Sequence, residues 1–196
     1  MEYLFFDTET TGIPVNRYAP LTDFANWPRL VQLAWVRTDE TGQILDEFET
    51  IVKPSGFSIP PEAANIHGIS TERALAEGMA LEQALGTMEA KLGLERLTLV
   101  AHNLDFDEKG LAVEWLRLNR PEVKDRFLSL PRRCTMLETM YFCNLPGKWG
   151  KPKWPKLEEL HIKLFGLGIP DAHDALVDVR ATVKCFFELR RQGVLK

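Results

Sequence analysis

Tyr3 to Phe6 form an unbroken apolar run, YLFF, which leads directly into Asp7-Thr8-Glu9. Such a run reads as a buried strand. A strand places residues i and i+2 on one face, so the two carboxylates converge on one point. Any fold built on this segment must cover the strand and also provide a partner for two acids at its end. Taken alone, Asp-x-Glu more often marks a solvated strand terminus, so the discriminating residues must come from elsewhere in the chain.

Two further strands follow, LVQLAWV from Leu30 to Val36 and ILDEFETIVKP from Ile44 to Pro54. DETGQ is the turn between them, and so short a connection favours antiparallel neighbours. After Pro54 the periods lengthen. PPEAANIH suggests a short helix opened by proline, and STERALAEGMALEQALGTMEAKLG one or two more, with Ser70 as an N-cap. TLVAHN, Thr98 to Asn103, reads as a fourth strand running into a helix that ends near Asn119. LETMYFCN, KLEELHIKLFG and DALVDVRATVKCFFELRR read as later helices. Strands first, then alternating strand and helix, imply an α/β protein with a mixed sheet covered by helices.

The 196 residues, 45% of them hydrophobic, suit one domain over 1–196. No apolar run reaches about 18 residues and no charged leader precedes an apolar stretch, so the expectation is a soluble, cytoplasmic protein without membrane contact. The three cysteines, Cys134, Cys143 and Cys185, lack CxxC spacing and read as small core residues. With 24 basic and 28 acidic residues the formal charge is −4, which by itself predicts no polyanionic partner.

Two more segments carry acids in informative positions. On a helix, Asp107 of HNLDFDEKGL aligns with Leu111, Trp115 and Leu118, the stripe that faces a core, whereas Asp105 lies about 200° away. A buried carboxylate needs a partner, and a cation is the natural one. The alternative is an acid serving the helix macrodipole. In DAHDALVDVRATVKC, His173 and Asp178 would be about 140° apart on a helix. His173 therefore belongs in the preceding loop or first turn, with Asp174 or Asp171 near the cap. Asp178 lies beside Ala175, Thr182 and Cys185, small residues that allow close approach to the sheet. The three pieces together supply four carboxylates and one histidine, a set suited to hard divalent cations.

The motifs FFDTETTG, HNLDFD and HDALVD resemble, in order, the three motifs of the DEDDh exonucleases. That superfamily includes the epsilon proofreading subunit of bacterial DNA polymerase III, ribonuclease T and oligoribonuclease. IVKP followed by IPPEAANIHGIS is similar to the family's link between its third strand and first helices, so the match runs from Tyr3 to about Leu189. The resemblance implies a ribonuclease H-like fold, α/β, with a five-stranded mixed sheet flanked by helices. It also implies removal of nucleotides from a 3′ end as 5′-monophosphates with two Mg²⁺ or Mn²⁺ ions. By the same resemblance Asp7, Glu9, Asp107 and Asp178 are metal ligands and His173 is the general base, whose ordinary pKa suits that role near neutrality. The implied pocket for the terminal nucleotide falls on Gly12, Ala63, Ile66, His67 and Phe106, with the backbone around Thr8 and Thr10 near the 3′ hydroxyl.

The chain departs from the family pattern in three places. Residues 13–29, IPVNRYAPLTDFANWPR, are a longer stretch than usual, with Tyr18, Phe24 and Trp27. They could wall the substrate groove, lie as a surface flap, or form a homodimer surface. LPGKWGKPKWPKL, Leu145 to Leu157, interleaves Lys148, Lys151, Lys153 and Lys156 with Trp149 and Trp154 and holds no acid. Lysines neutralise phosphates and aromatic faces stack on bases, so this loop suits single-stranded nucleic acid, with Arg132 and Arg133 extending the basic patch. Beyond the last helix only QGVLK remains, so a polymerase or clamp contact is not indicated unless another surface makes it, and the expectation is a stand-alone trimming or repair nuclease. The expected partner is therefore nucleic acid with a free 3′ end, DNA that is single-stranded or frayed. RNA or short oligonucleotides are the alternative substrates, and a non-catalytic nucleic-acid-binding subunit is the alternative class.

Overall fold

The computed structural model describes residues 1–170 and 172–196. The apolar N-terminal run forms strand β1 (Glu2–Thr10), which continues past both acids rather than ending at them. Strand β2 (Leu30–Asp39) pairs antiparallel with β1, and β3 (Ile44–Ile51) antiparallel with β2. On the other side of β1 lie β4 (Leu97–Ala101) and β5 (Arg132–Cys134), each parallel to its neighbour. The sheet order is β3-β2-β1-β4-β5, five strands of mixed direction. β1 is thus central, as its apolar run requires.

Alternate β1 residues feed two cores. Leu4 and Phe6 pack with Leu33, Trp35, Leu97 and Leu99 beneath helices α3 (Leu81–Glu89), α4 (Leu104–Arg117) and α5 (Pro121–Ser129). Tyr3 and Phe5 pack on the opposite face, beneath α8 (Leu157–Phe165) and α9 (Ala175–Arg191). Phe186 of α9 meets the rings of Tyr3 and Phe5 edge-on, with centroids 5.0 and 5.3 Å away. Ala175, Thr182 and Cys185 are buried, as small residues on a closely approaching helix should be.

Short helices α1 (Pro61–His67) and α2 (Thr71–Glu77) fill the link after β3. Pro61 opens the first, and the Ser70 hydroxyl caps the second by accepting from the Arg73 N–H. The short helices α6 (Thr135–Glu138) and α7 (Met140–Cys143) follow β5. Helix α5 and strand β5 were not legible from periodicity, since the period reading placed only four strands. Cys143 and Cys185 are buried, Cys134 is partly so, and all three are free thiols. No helix among the described residues is long and apolar enough to cross a membrane.

The structure corrects the expectation that Arg132 and Arg133 extend a basic patch. On β5 the Arg132 guanidinium pairs with Glu108 of α4, and that of Arg133 pairs with Glu138 of α6 at 2.5 Å. Strand pairing carries both arginines to carboxylates that lie far from them in linear order or on the next turn, so their charges are already matched.

Candidate active site

The parallel pairing of β1 with β4 reaches only Phe5 opposite Val100, so Asp7 and Glu9 project beyond the carboxyl end of β4. Crevices outside the carboxyl ends of strands are where α/β sheets bind ligands. The β1–β2 register slips between Glu9 and Thr10, a bulge immediately beside the acids. Asp7 and Glu9 share the α9 face of β1, whereas Thr8 points to the α4 face.

Thr8 meets Asp107 there. Its backbone N–H donates to Asp107 Oδ1 at 3.0 Å and its hydroxyl donates to the same oxygen at 2.7 Å. Asp107 sits on the first turn of α4, only 3% exposed, on a stripe with the buried Leu111 and Trp115. Asn103 in the left-handed region (φ 69°) turns the chain sharply from β4 into this helix. Asp105, on the other side of α4, takes ion pairs from Arg17 and Lys109.

Helix α9 supplies the last acid. Asp174 caps it, accepting from the N–H groups of Leu176 and Val177, and Asp178 follows one turn later. His173 lies before the cap with φ 73°, outside the helix as its angular offset required. Its backbone N–H donates to Asp178 Oδ2 at 3.3 Å. Ligand atoms of Glu9, His173 and Asp178 lie within 4.8 Å of one another. Asp171, the other expected capping acid, lies outside the described residues.

The electrostatics show how closely the carboxylates converge. Burial, then the charges of Asp107, Asp178, Glu9 and Asp174, hold the Asp7 pKa well above the ordinary carboxylate range. Burial and the charges of Asp178, Asp107 and Asp174 push Glu9 up to about 8. Burial raises Asp107 to about 7 even though the two Thr8 bonds pull it down. Asp178 is raised chiefly by burial, opposed by the His173 N–H and charge. Among the described residues, no lysine or arginine pairs with any of these four acids. A site that gathers one buried and three half-buried acids without a protein cation fits a divalent metal, whose charge would reverse each of these shifts.

Beside the acids lies a cavity of about 450 Å³ lined by Thr8, Thr10, Gly12, Ala63, Ile66, His67 and Phe106, together with Thr11, Ile13, Pro60 and Glu62. Gly12 (φ 146°) turns the chain off β1 at the cavity wall, a backbone shape that L side chains rarely adopt. His67 accepts from the Ile69 N–H at Nδ1, which leaves the proton on Nε2, and burial lowers its pKa.

The lysine- and tryptophan-rich loop lies apart from this cavity. Trp149 is 95% exposed and Trp154 half-exposed. Lys148 and Lys151 are exposed, but Lys153 pairs with Glu159 of α8 at 2.5 Å, so the loop has an acid neighbour that its own sequence lacks. At its distal end the Pro155 carbonyl lies 3.0 Å from His102 Nε2, while His102 Nδ1 lies 2.9 Å from the Thr135 hydroxyl. Burial lowers the His102 pKa to about 4, so the ring is a neutral tether at neutral pH.

Sequence reading missed Gln32, whose Oε1 accepts from the Ala175 N–H and whose Nε2 donates to Glu49 at 2.7 Å. It stands opposite Glu9 on β2 and anchors the start of α9. Its only sequence signal is a polar residue within the otherwise apolar LVQLAWV run. Asp174 was expected only as a cap, yet its charge also raises Asp7, Glu9 and Asp178.

A mixed five-stranded sheet with converging acids from β1, α4 and α9 defines an α/β protein of the ribonuclease H-like class. Residues 4–186 match the RNase_T exonuclease family, and the chain belongs to that family. It is 28% identical to the PolC-type DNA polymerase III of Thermotoga petrophila, over 99% of this chain but 12% of the polymerase. It is 27% identical to human three-prime repair exonuclease 1, over 98% of this chain and 65% of that protein. Escherichia coli exonuclease I in complex with a dA16 oligonucleotide matches with a TM-score of 0.76 at 23% identity, over 97% of this chain and 41% of that one. The chain thus spans less than two thirds of the length of each of these three proteins.

Proposed function

We propose that residues 1–196 form one exonuclease domain that hydrolyses phosphodiester bonds from the 3′ end of single-stranded or frayed DNA, releasing nucleoside 5′-monophosphates. The observation that carries this reading is the convergence of Asp7, Glu9, Asp107, Asp178 and His173 beside a nucleotide-sized cavity. The four carboxylates would hold two divalent cations, Mg²⁺ or Mn²⁺, which supply Lewis-acid activation of water and neutralise charge at the phosphate.

The chain's own residues do the rest. Thr8 fixes Asp107 through two donors, so that this ligand is oriented before substrate arrives. His173, next to Glu9 and Asp178, takes the proton from the attacking water. Ala63, Ile66 and Phe106 offer apolar walls to the terminal base, and the bare backbone at Gly12 leaves room for it. The exposed Trp149 ring stacks on a base farther along the strand, with Lys148 and Lys151 near its phosphates. A cytoplasmic setting agrees with three free thiols.

The test is a 5′-labelled single-stranded DNA incubated with Mg²⁺. A ladder of shortened products that vanishes with chelator and in Asp107→Ala supports the proposal. Intact substrate under every condition overturns it. A matched RNA strand in the same assay measures how the pocket treats a 2′-hydroxyl.

A further inference from the structure

A cavity of about 400 Å³ lies where the chain leaves β3, where α3 begins and where α4 ends. Leu30, Val52, Leu81, Leu118 and Phe57 give it apolar walls, and the Arg29 guanidinium lies 4.4 Å over the Phe57 ring. Lys53 and Arg117 line it as well. Arg29 and Arg117 share one oxygen of the buried Glu114 carboxylate, at 3.0 and 2.8 Å. Arg29 makes that bond through Nε, which keeps its two Nη groups for a ligand. Among the described residues Lys53 has no acid partner. Counting the exposed Glu82 in the wall, three cations meet two acids, which leaves one net positive charge. The start of α3 carries no side-chain cap, so its first N–H groups add donors on the same side.

Backbone bonds fix the walls. The Lys53 N–H donates to the Met79 carbonyl at 2.8 Å, and the Met79 N–H to the Ile51 carbonyl at 2.9 Å. Gly78 lets these segments meet, since a Cβ there would stand 2.6 Å from the Lys53 nitrogen. On the other side the Arg29 N–H donates to the Thr11 hydroxyl and the Thr11 N–H to the Arg29 carbonyl, both at 2.9 Å. Thr11 lines the nucleotide-sized cavity beside the acids, so one bonded pair of residues joins the two cavities.

We propose that this second cavity binds a free nucleoside 5′-monophosphate, with the phosphate on Lys53 and the Arg29 guanidinium and the base against the apolar walls. The volume is within the usual range for small-ligand sites, and an apolar lining with a few convergent polar groups is their usual composition. Guanidinium and ammonium donors are the groups that hold phosphate. One net positive charge matches a single phosphate rather than the three of a triphosphate. The assignment goes beyond the exonuclease reading and does not depend on it, although the ligand is of the class which that reading expects as product.

Binding is measured in chelator, where the acids around Asp7 are unneutralised and repel a phosphate, so that the signal reports on the second cavity. Adenosine 5′-monophosphate is titrated by calorimetry into wild type, Lys53→Glu and Ser55→Trp, two exposed positions in the wall. The expected result is an affinity at least about tenfold lower in both variants, the scale of one lost charge-assisted bond, with their Tm in the absence of nucleotide unchanged. Photolabelling with 8-azidoadenosine 5′-monophosphate should mark residues 51–58 or 80–84, and Lys53→Glu should abolish the label. No binding, an unchanged affinity in both variants, or label confined to residues 61–67 overturns the proposal. Inorganic phosphate bound as tightly as the nucleotide overturns the assignment of the ligand class. None of these failures touches the exonuclease reading, which the DNA ladder decides separately.

Discussion

Asp107→Asn should make the metal-free protein more stable at pH 8. Asparagine has nearly the shape of aspartate and keeps an oxygen to accept both Thr8 bonds, so the substitution removes the charge and little else. Burial raises the Asp107 carboxyl from 3.8 to about 7. At 1.36 kcal/mol per tenfold change, that corresponds to about 4 kcal/mol of charge penalty at full ionisation. Neighbouring acids retain protons and relieve part of it, so the expected gain is about 2 to 4 kcal/mol, or about 4 to 16 °C in Tm for a chain of this size. The folded-state pKa lies above the unfolded one, so the native state holds this proton longer as pH rises. The stabilisation that the proton provides is full below about pH 4 and is lost as pH rises through about 7. The gap between variant and wild type should therefore close only below about pH 4, be less than half as wide at pH 5 as at pH 8, and be fully open at pH 8. Thermal denaturation followed by circular dichroism in chelator, at both pH values, measures it. Millimolar Mg²⁺ should then raise the wild-type Tm and leave the variant nearly unchanged, because binding to the native state alone is stabilising. Equal Tm values at pH 8, or the same gap at both pH values, would refute the argument that the acids are held together against their own repulsion.

Three other outcomes follow from particular contacts. Thr8→Val removes the 2.7 Å hydroxyl bond to Asp107 and should weaken Mn²⁺ binding by about tenfold or more, read by titration calorimetry. Arg117→Ala frees three carbonyls of residues 24–28 and takes a partner from Glu114, which is 1% exposed. It should cost about 3 to 5 kcal/mol in urea denaturation and open the 13–29 segment to limited proteolysis. Trp149→Ala should leave Tm unchanged and weaken single-stranded DNA binding by about fivefold or more in fluorescence anisotropy, since the ring touches solvent almost everywhere.

Local pattern was enough to establish much of this protein. The apolar run before Asp7 and Glu9 marked a buried strand, the angular offset of His173 from Asp178 placed the histidine in the loop or first turn before α9, and Pro61 and Ser70 marked helix starts. These features depend on neighbours within one or two turns, which a linear reading contains. Tertiary structure alone decided the rest. A three-residue strand such as β5 exists only because β4 offers an edge to pair with, and that pairing places Arg132 and Arg133 beside Glu108 and Glu138. The bond from Thr8 to Asp107 spans 99 positions, Lys153 meets an acid from the next helix, and Asp174 adds its charge to a cluster it was expected only to flank. Hydrogen bonds and charges act over a few ångströms of space whatever the separation along the chain, so their partners appear only once the sheet and its two helical layers are assembled.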